Sequence, residues 1–222
     1  SSRREKEIQL GSTYGYYPQT GSRILTKHFF MATNIHAIIA ASIAVKQEIL
    51  ADSAFQQKVQ DITDAVIHAF QSGKKVMFCG NGGSAADAQH LAAEFSGRFY
   101  KNRRALPSDA LHCNTSYLTA VANDYSYDDI YSRLVDGTME KGDVLIGIST
   151  SGNSPNIVKA FETARAKGIV TVGFTGASGG KMKDLSDHLL NVPSTVTPRI
   201  QESHILLGHI ICELTEAAIF ND

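Results

Sequence analysis

The sequence predicts an α/β fold: a three-layer αβα sandwich on a five-stranded parallel sheet, preceded by N-terminal helices. Two observations lead to this prediction. Short apolar runs recur along the chain, and a segment with helical spacing separates most of them from the next. Such alternation is typical of a parallel sheet that helices cover on both faces. In sheets of this kind, ligands bind beyond the carboxyl ends of the strands, near the point where the strand order reverses.

The predicted elements follow in chain order. Two N-terminal helices span about Asn34–Ala51 and Asp52–Ser72, and Val59, Ile62 and Val66 lie at helical spacing in the second. The strand candidates are Lys75–Cys79, Ala110–Asn114, Val144–Ser149, Val170–Phe174 and His188–Val192. The remaining helical segments are Ser84–Ser96, about Tyr117–Ala122, Tyr127–Gly137, Ser154–Ala166, Lys181–Leu185 and about Arg199–Phe220.

Composition excludes several classes of protein. With 222 residues, 43% hydrophobic and 19% charged, the chain is typical of one sizeable globular domain. A formal net charge of −1 gives no basic field for nucleic acid. No apolar run reaches the length of a membrane span, and the start lacks a signal-peptide core. The odd, widely spaced set Cys79, Cys113 and Cys212 indicates buried thiols in a reducing, cytoplasmic location.

Residues 1–30 differ from the rest of the chain. They combine a charged start with scattered Gly and Pro, their apolar residues keep no sustained period, and the first methionine is Met31. Two interpretations stay open: an upstream extension, poorly ordered or added in cloning, and a functional arm. The first is favoured, so we expect a single domain over residues 31–222.

Two polar turns follow strand ends. Gly80–Ser84 joins the first strand to a helix, and Ser149–Ser154 follows the third strand. Both offer backbone N–H groups at a helix N-terminus, which is a common way to bind an anion. Hydroxyl groups in the second turn donate hydrogen bonds without adding charge, and Ser154 is placed to cap the next helix. A capped turn without a ligand also explains the second turn, but its match with the first makes a phosphate site an equal alternative.

Neither turn carries a nucleotide-binding motif. No Gly-Lys-Ser/Thr follows the glycine-rich turn, as a Walker A loop requires. The Gly-x-Gly-x-x-Gly pattern of dinucleotide folds is also incomplete. We therefore expect no nucleotide cofactor.

Ionisable side chains lie near these turns. His90 and Glu94 are four residues apart and share one face of the helix after the first turn. On the last helix, Gln201 and His209 fall within an arc of about 80°, whereas His204 points elsewhere and is assigned to the core. A His/Glu/Gln/His set suits a divalent metal such as zinc. Taken alone, a His/Glu pair at this spacing is more often a surface pair or a hydrogen-bonded core pair than a functional site.

The spacing on the last helix raises a geometric problem. Eight residues separate Gln201 from His209 by about 12 Å along a straight helix. Side chains that far apart barely reach a single ion. If all four groups converge, we expect either residues from more than one subunit or a distorted helix start after Pro198.

Four groups of residues carry a family resemblance. They are Cys79 to Ser84 with Gln89, His90, Glu94, Gly97 and Arg98; Ala122-Asn123-Asp124; Gly147 to Ser154; and Arg199-Ile200-Gln201-Glu202 with His209. Together they resemble the phosphoheptose isomerases, which belong to the sugar isomerase (SIS) family. The resemblance runs in order from Met31 to the C-terminus. The first group is highly specific, whereas the serine loop also occurs in other SIS proteins.

The resemblance implies a SIS domain of flavodoxin-like topology and a homotetramer with sites at subunit interfaces. It implies an isomerase that converts sedoheptulose 7-phosphate to D-glycero-D-manno-heptose 7-phosphate through an enediol. That reaction is the first step of ADP-heptose and lipopolysaccharide core synthesis. The partner would be a sugar phosphate, with no nucleic acid and no membrane.

The resemblance also implies residue roles. Glu94 would be the general base and His209 its acid/base partner, and the family's zinc ligands match His90, Glu94, Gln201 and His209. Arg98 would contact substrate or fix Glu94, whereas capping or ion pairing explains Asp87 and Glu202 equally well. The implied substrate-binding set is Asn81, Gly82, Gly83, Ser84, Glu94, Arg98, Asn123, Asp124, Ser149, Thr150, Ser151, Ser154 and Gln201, of which the four hydroxyl residues 149–151 and 154 would hold the phosphate.

A non-catalytic SIS module is the alternative from another class. One such relative binds the replication initiator DnaA and shares both polar turns, but it typically lacks the acidic residue at position 94 and the histidine at position 209. Both residues are present here, which favours the isomerase. The chain could also be an isomerase of another sugar phosphate, because a phosphate-binding loop does not determine which sugar is bound.

Overall fold

The computed structural model describes the backbone of residues 25–220 and the side chains of residues 34–220. Five parallel strands form one sheet in the order β2-β1-β3-β4-β5. Val144 of β3 lies opposite Val76 of β1 and Val170 of β4, so the three central strands start level with one another. The strands are β1 (Val76–Gly80), β2 (Ser108–Ala110), β3 (Val144–Ile148), β4 (Val170–Thr175) and β5 (His188–Asn191).

The described residues contain seven α-helices and two short 3₁₀ helices, Tyr127–Asp129 and Gly180–Leu185. Helix α1 begins at Leu25, ahead of the predicted start at Asn34, and so includes the last residues of the predicted extension. The rest of that extension, residues 1–24, lies outside the described residues. The sheet belongs to a compact unit that begins at Ile39. The α-helices are α1 (Leu25–Ala51), α2 (Ser53–Gln71), α3 (Gly83–Ser96), α4 (Thr115–Asp124), α5 (Ile130–Thr138), α6 (Pro155–Ala166) and α7 (Thr197–Ile219).

Two apolar cores cover the two faces of the sheet. On one face, α2, α3 and α7 contribute to a cluster in which Phe95 packs between Phe70 and Phe78. On the other face, α5 and α6 contribute to a cluster that contains Leu145 and Phe161. All five residues of β3 are buried, as expected for a strand covered on both sides. The predicted three-layer αβα fold is confirmed.

Side-chain caps fix two of the helix starts. The Asp52 carboxylate accepts from the backbone N–H groups of Ala54 at 2.9 Å and Phe55 at 3.0 Å, so α2 begins at Ser53. Asn114 caps α4 in the same way. This second cap explains a wrong strand boundary: the sequence predicted Ala110–Asn114 as a strand, but β2 ends at Ala110 and the chain turns into α4.

The other four predicted strands agree with the structure to within one residue at each end. Cys79 and Cys212 are buried, as predicted, but the prediction is wrong for Cys113, which is exposed. The reason is the early end of β2, which leaves Cys113 in the turn before α4. Within the described part of the chain, no helix combines the length and the apolar character that a membrane crossing requires.

His204 lies in the core, as the sequence predicted. Its side chain is fully buried, its Nε2 lies 3.1 Å from the carbonyl oxygen of Thr175, and its ring packs near Phe174. Burial lowers the pKa of His204 to about 4, although the hydrogen bond to Thr175 opposes the shift. The imidazole is therefore neutral in the folded chain at neutral pH.

We predict that this histidine makes stability depend on pH. Between pH 6.5, the ordinary pKa of histidine, and about pH 4, the unfolded chain binds a proton at His204 and the folded chain does not. The free energy of unfolding therefore decreases as the pH is lowered through that window. The loss is on the order of 3 kcal/mol. His204→Gln keeps an N–H donor for Thr175 and should flatten this loss in urea unfolding. The matched control is His68→Gln, an exposed histidine on α2 that should leave the slope unchanged. Equal slopes in the two variants would contradict the prediction.

Candidate active site

The two polar turns meet at one edge of the sheet. Strands β1 and β3 are neighbours, with Gly80 opposite Ile148, so the turns that follow them lie side by side. The strand order reverses between these two strands, because β2 lies beyond β1 while β4 and β5 lie beyond β3. Sheets of this type bind ligands at such a reversal. The location that the sequence predicted for the turns is confirmed.

A reciprocal amide pair joins the turns. Asn81 Nδ2 donates to Asn156 Oδ1 at 2.9 Å, and Asn156 Nδ2 donates to Asn81 Oδ1 at 2.8 Å. The Tyr127 hydroxyl also donates to Asn81 Oδ1, at 3.0 Å. These bonds occupy the Asn81 oxygen and leave its second amide hydrogen for a ligand. Sequence reasoning missed Asn156 and Tyr127, because their contacts with Asn81 span 75 and 46 residues and no local pattern marks them.

Both helices that begin at the turns lack a side-chain cap. Gly82 stands before α3 and Ser154 before α6, and neither accepts a side-chain hydrogen bond from its helix. The Ser154 hydroxyl instead lies 3.0 Å from the Ser149 hydroxyl, so the expectation that Ser154 caps α6 is wrong. No side-chain cap therefore competes with an anion at either helix start, although Pro155 in the first turn of α6 has no N–H and the Ile157 N–H donates to the carbonyl oxygen of Ser154.

Gly152 sets the shape of the serine loop. Its φ is +65°, and a Cβ there would lie 2.0 Å from the carbonyl oxygen of Gly179. A cavity of about 260 Å³ adjoins the loop, and most of its lining is hydroxyl, amide or small apolar groups. Such a surface suits phosphate oxygens or sugar hydroxyls. The polar lining residues are Thr150, Ser151, Asn153, Ser178, Ser194, Thr195 and Thr197.

Three predicted residues converge between α3 and α7. His90 Nε2 lies 3.0 Å from His209 Nε2 and 3.3 Å from Glu94 Oε1. One ligand atom from each of the three residues lies within 4.8 Å of the others. Two imidazoles and a carboxylate at this separation can hold a divalent metal ion. We call His90, Glu94 and His209 the α3–α7 cluster.

Helices α3 and α7 run parallel and in register past this cluster. Gly208 faces Leu91 so closely that a Cβ on Gly208 would lie 2.5 Å from Leu91 Cδ1. The next residue of α7, His209, meets His90 of α3. Since Gly208 admits the close approach, the contact between the helices sets the distance across the cluster.

Gln201 lies apart from the α3–α7 cluster in the same chain. Its Nε2 lies 2.9 Å from the position that a Cβ on Gly83 would take, at the start of α3. Gly83 precedes His90 by seven residues, or about 10 Å along the helix. Helix α7 begins at Thr197 and includes Pro198 in its first turn, so the distorted start considered from sequence is not observed. Within one chain, Gln201 adjoins the glycine-rich turn Gly80–Ser84 instead of the cluster.

The predicted sugar contacts are exposed residues at helix ends. Asn123 and Asp124 are exposed at the end of α4, where Asn123 Nδ2 donates to Asp124 Oδ1 at 2.9 Å. Arg98 is exposed just beyond α3, and among the described residues no hydrogen bond or ion pair joins it to Glu94. The option that Arg98 fixes Glu94 is therefore not observed, and a substrate contact is the option that stays open.

Two further motif residues now have distinct surroundings. Asp87 lies within electrostatic range of both histidines of the cluster: burial raises the pKa of its carboxyl, and the charges of His90 and His209 oppose that rise. Asp87 is in the interior of α3 and does not cap it. Glu202 accepts from Arg199 and Ser42, each at 2.6 Å, so ion pairing explains it.

Comparison with known proteins identifies the family. A family model described as SIS domain matches residues 34–176. The phosphoheptose isomerase of Clostridium acetobutylicum is 52% identical over 192 residues, which cover 86% of this chain and 98% of the relative. The chain belongs to the phosphoheptose isomerase family. The family's enzyme from Aneurinibacillus thermoaerophilus is 53% identical over 188 residues, covering 85% of this chain and 95% of the relative.

Solved structures of phosphoheptose isomerases share the fold. GmhA from Neisseria gonorrhoeae superposes with a TM-score of 0.79 at 39% identity, over 84% of this chain and 99% of that one. The enzyme from Francisella tularensis superposes with a TM-score of 0.80 at 32% identity, over 83% and 97% of the two chains. The flavodoxin-like SIS topology expected from the resemblance is confirmed.

We predict that Gly152→Ala destabilises the chain. The variant forces a positive φ on alanine and a clash with Gly179, and it should lower the free energy of unfolding by about 1–3 kcal/mol. Urea unfolding measures the change. The matched control is Gly137→Ala in α5, where a Cβ meets nothing within 4 Å, and which should gain up to about 1 kcal/mol. A neutral Gly152→Ala would remove the strain argued for the serine loop.

Proposed function

We propose that this chain is an aldose–ketose isomerase that converts sedoheptulose 7-phosphate to D-glycero-D-manno-heptose 7-phosphate through an enediol. The observation that carries the proposal is that one helix, α3, begins at a polar turn suited to an anion and carries the α3–α7 cluster about 10 Å further along. Relatives that share about half of its residues over most of both chains bear the name phosphoheptose isomerase. A first step in ADP-heptose and lipopolysaccharide core synthesis, carried out in the cytoplasm, is part of the same proposal.

The phosphate is held at the turns. Ser149, Thr150, Ser151 and Ser154 donate hydroxyl hydrogen bonds, and the uncapped starts of α3 and α6 add the positive ends of the helix dipoles. Gly82, Gly83, Ser84 and the free Asn81 amide hydrogen form the adjacent wall, with Asn123, Asp124 and Arg98 on the sugar chain. Binding energy at this remote end positions the reacting carbons.

Proton transfer takes place at the cluster. The Glu94 carboxylate removes a proton from C1 of the ketose while His209 gives a proton to the C2 oxygen, which yields the enediol. Glu94 then returns its proton to C2, and His209 takes the proton of the C1 hydroxyl as the aldehyde forms. Glu94 Oε1 faces His90, and no hydrogen bond within the described residues occupies Oε2, which leaves that oxygen for the proton.

The cluster fits a zinc ion, one per site. Tetrahedral Zn²⁺ with ligands at about 2.0–2.2 Å spaces neighbouring ligand atoms about 3.3–3.6 Å apart. The separations of 3.0 and 3.3 Å from His90 Nε2 lie close to that range. His90, Glu94 and His209 would hold the ion, and Gln201 would complete the set from a second subunit. A ring nitrogen bound to the ion cannot carry a proton, so His209 acts as the acid only in a site where that nitrogen is free. When bound, zinc polarises the carbonyl and hydroxyl oxygens of the substrate as a Lewis acid.

A homotetramer with sites at subunit interfaces agrees with the distribution of apolar surface. Ile39 and Ile43 on α1 and Leu206 and Leu214 on α7 are between 38% and 55% exposed. A groove of about 390 Å³ with a largely apolar lining lies between α1, α2 and α7. Exposed large apolar side chains beside an apolar groove are typical of an interface. An interface also explains how Gln201 reaches a cluster about 10 Å away along the helix.

We predict that Glu94→Gln abolishes turnover and keeps phosphate binding. Loss of the proton acceptor should lower kcat by at least about 10²–10⁴-fold, whereas calorimetry should find the affinity for sedoheptulose 7-phosphate within about threefold of wild type. Glu213→Gln, an exposed glutamate on α7, is the matched control and should turn over normally. Near-normal turnover of Glu94→Gln would refute its role. A wild-type chain that binds DnaA and leaves this sugar phosphate unchanged would favour the non-catalytic alternative.

We predict that two inactive variants complement each other. In a mixed oligomer, the Gln201→Ala chain still has an intact cluster and the Glu94→Gln chain still has Gln201. A site that combines the cluster of the former with the Gln201 of the latter is intact. Co-expression with two affinity tags should restore activity at roughly a quarter of the sites. If each site lies within one chain, or if the enzyme is a monomer with full activity, the mixture stays as inactive as its parents.

A further inference from the structure

A buried ion pair joins the ends of α3 and α7 next to the cluster. Glu216 of α7 is 2% exposed. One of its carboxylate oxygens accepts from the Phe99 N–H at 3.0 Å and from Arg103 Nε at 2.8 Å. The other accepts from the N–H groups of Tyr100 at 2.7 Å and Lys101 at 2.9 Å. The carboxylate thus binds the loop after α3 to α7.

The Arg103 guanidinium completes the last turn of α3. Its Nη2 donates to the carbonyl oxygen of Glu94 at 2.8 Å, and its Nη1 donates to those of Phe95 at 2.8 Å and Gly97 at 3.1 Å. Carbonyl groups in the last turn of a helix have no partner within the helix, and a cation there also favours the helix dipole. Arg103 therefore holds the backbone of the residue proposed as the base.

The same pair reaches His209. Glu216 follows His209 by seven residues, which is two helical turns with an offset of about 20°, so both face α3. Phe99, whose N–H group Glu216 holds, places its ring centroid 5.9 Å from that of His209. The same set of contacts between α3 and α7 therefore holds both Glu94 and His209. We infer that Arg103 and Glu216 are positioning residues that fix the distance between Glu94 and His209 for proton transfer; the inference rests on the proposed function.

The charge state of the pair agrees with this role. Burial raises the pKa of Glu216, but the N–H groups of Lys101, Phe99 and Tyr100 and the Arg103 side chain more than offset it, so the pKa lies below its usual range. A buried ion pair often stabilises a fold no better than apolar residues of the same volume. The pair instead fixes geometry, because each of its directional hydrogen bonds holds a donor and an acceptor at a defined distance and angle.

A second buried pair provides a matched control. Asp143 is fully buried and accepts from the N–H groups of Lys75 at 3.1 Å and Glu140 at 2.8 Å, and from Lys75 Nζ at 3.0 Å. It lies just before β3, and its hydrogen bonds go to Lys75 and Glu140, neither of which belongs to the cluster. Asp143→Asn therefore removes a comparable network that does not involve the cluster.

The test compares Glu216→Gln with Asp143→Asn in the full-length protein, each assayed well below its melting temperature. We expect Glu216→Gln to lower kcat for sedoheptulose 7-phosphate about 10- to 100-fold with KM within about twofold, because small displacements of reacting groups are costly. Its affinity for Zn²⁺, measured by chelator competition, should fall about 10-fold or more. Asp143→Asn should lower the melting temperature and leave kcat and zinc affinity at wild-type values.

Arg103→Lys is the second variant, for use if Glu216→Gln does not fold. It keeps the charge but cannot reach the carbonyl groups of Glu94 and Phe95 together, so it should show the same split between kcat and KM. A folded variant of either residue with wild-type kcat and zinc affinity would overturn the inference, and so would equal losses of kcat in Asp143→Asn. A wild-type protein without turnover would defeat the proposed function alone, because zinc affinity still reports whether the pair positions the cluster.

Discussion

The close contact between α3 and α7 is the constraint on which the candidate site depends. Gly208 has no side chain to hold Leu91 away, and any Cβ there would lie 2.5 Å from it. His90 and Glu94 belong to one helix and His209 to the other, so their separation follows from how closely the helices pack. Packed helices are stiff elements, and a site built on them keeps its geometry better than one built on loops.

The sheet supplies the second half of the site. Strands β1 and β3 end level with each other, and the amide pair between Asn81 and Asn156 ties the two turns together beyond them. Helix α3 begins at the first of these turns and carries His90 and Glu94 further along. One helix thus connects the polar turn proposed for the phosphate to the cluster proposed for proton transfer.

Much of this could be predicted from sequence, because the signals are local. An apolar run such as Val144–Ile148 and the four-residue spacing of His90 and Glu94 are visible without the fold. The predicted boundary of β2 was wrong, because the apolar run continues past a strand of only three residues into a turn. The Arg103–Glu216 pair could not be predicted, because its partners lie 113 residues apart and each alone reads as an ordinary charged residue.

The two ends of the site differ in charge, and the difference matters for the chemistry. In the proposed mode of binding, hydroxyl and amide groups of the turns hold the phosphate, and a helix N-terminus contributes only about half a positive charge. A lysine or arginine at the phosphate would cancel part of the charge of the dianion and would place a positive charge in the same site as the proposed base. A phosphate dianion held by neutral groups keeps its own negative charge. The neutral turns would therefore bind the substrate without adding a positive charge to the site of the proposed base.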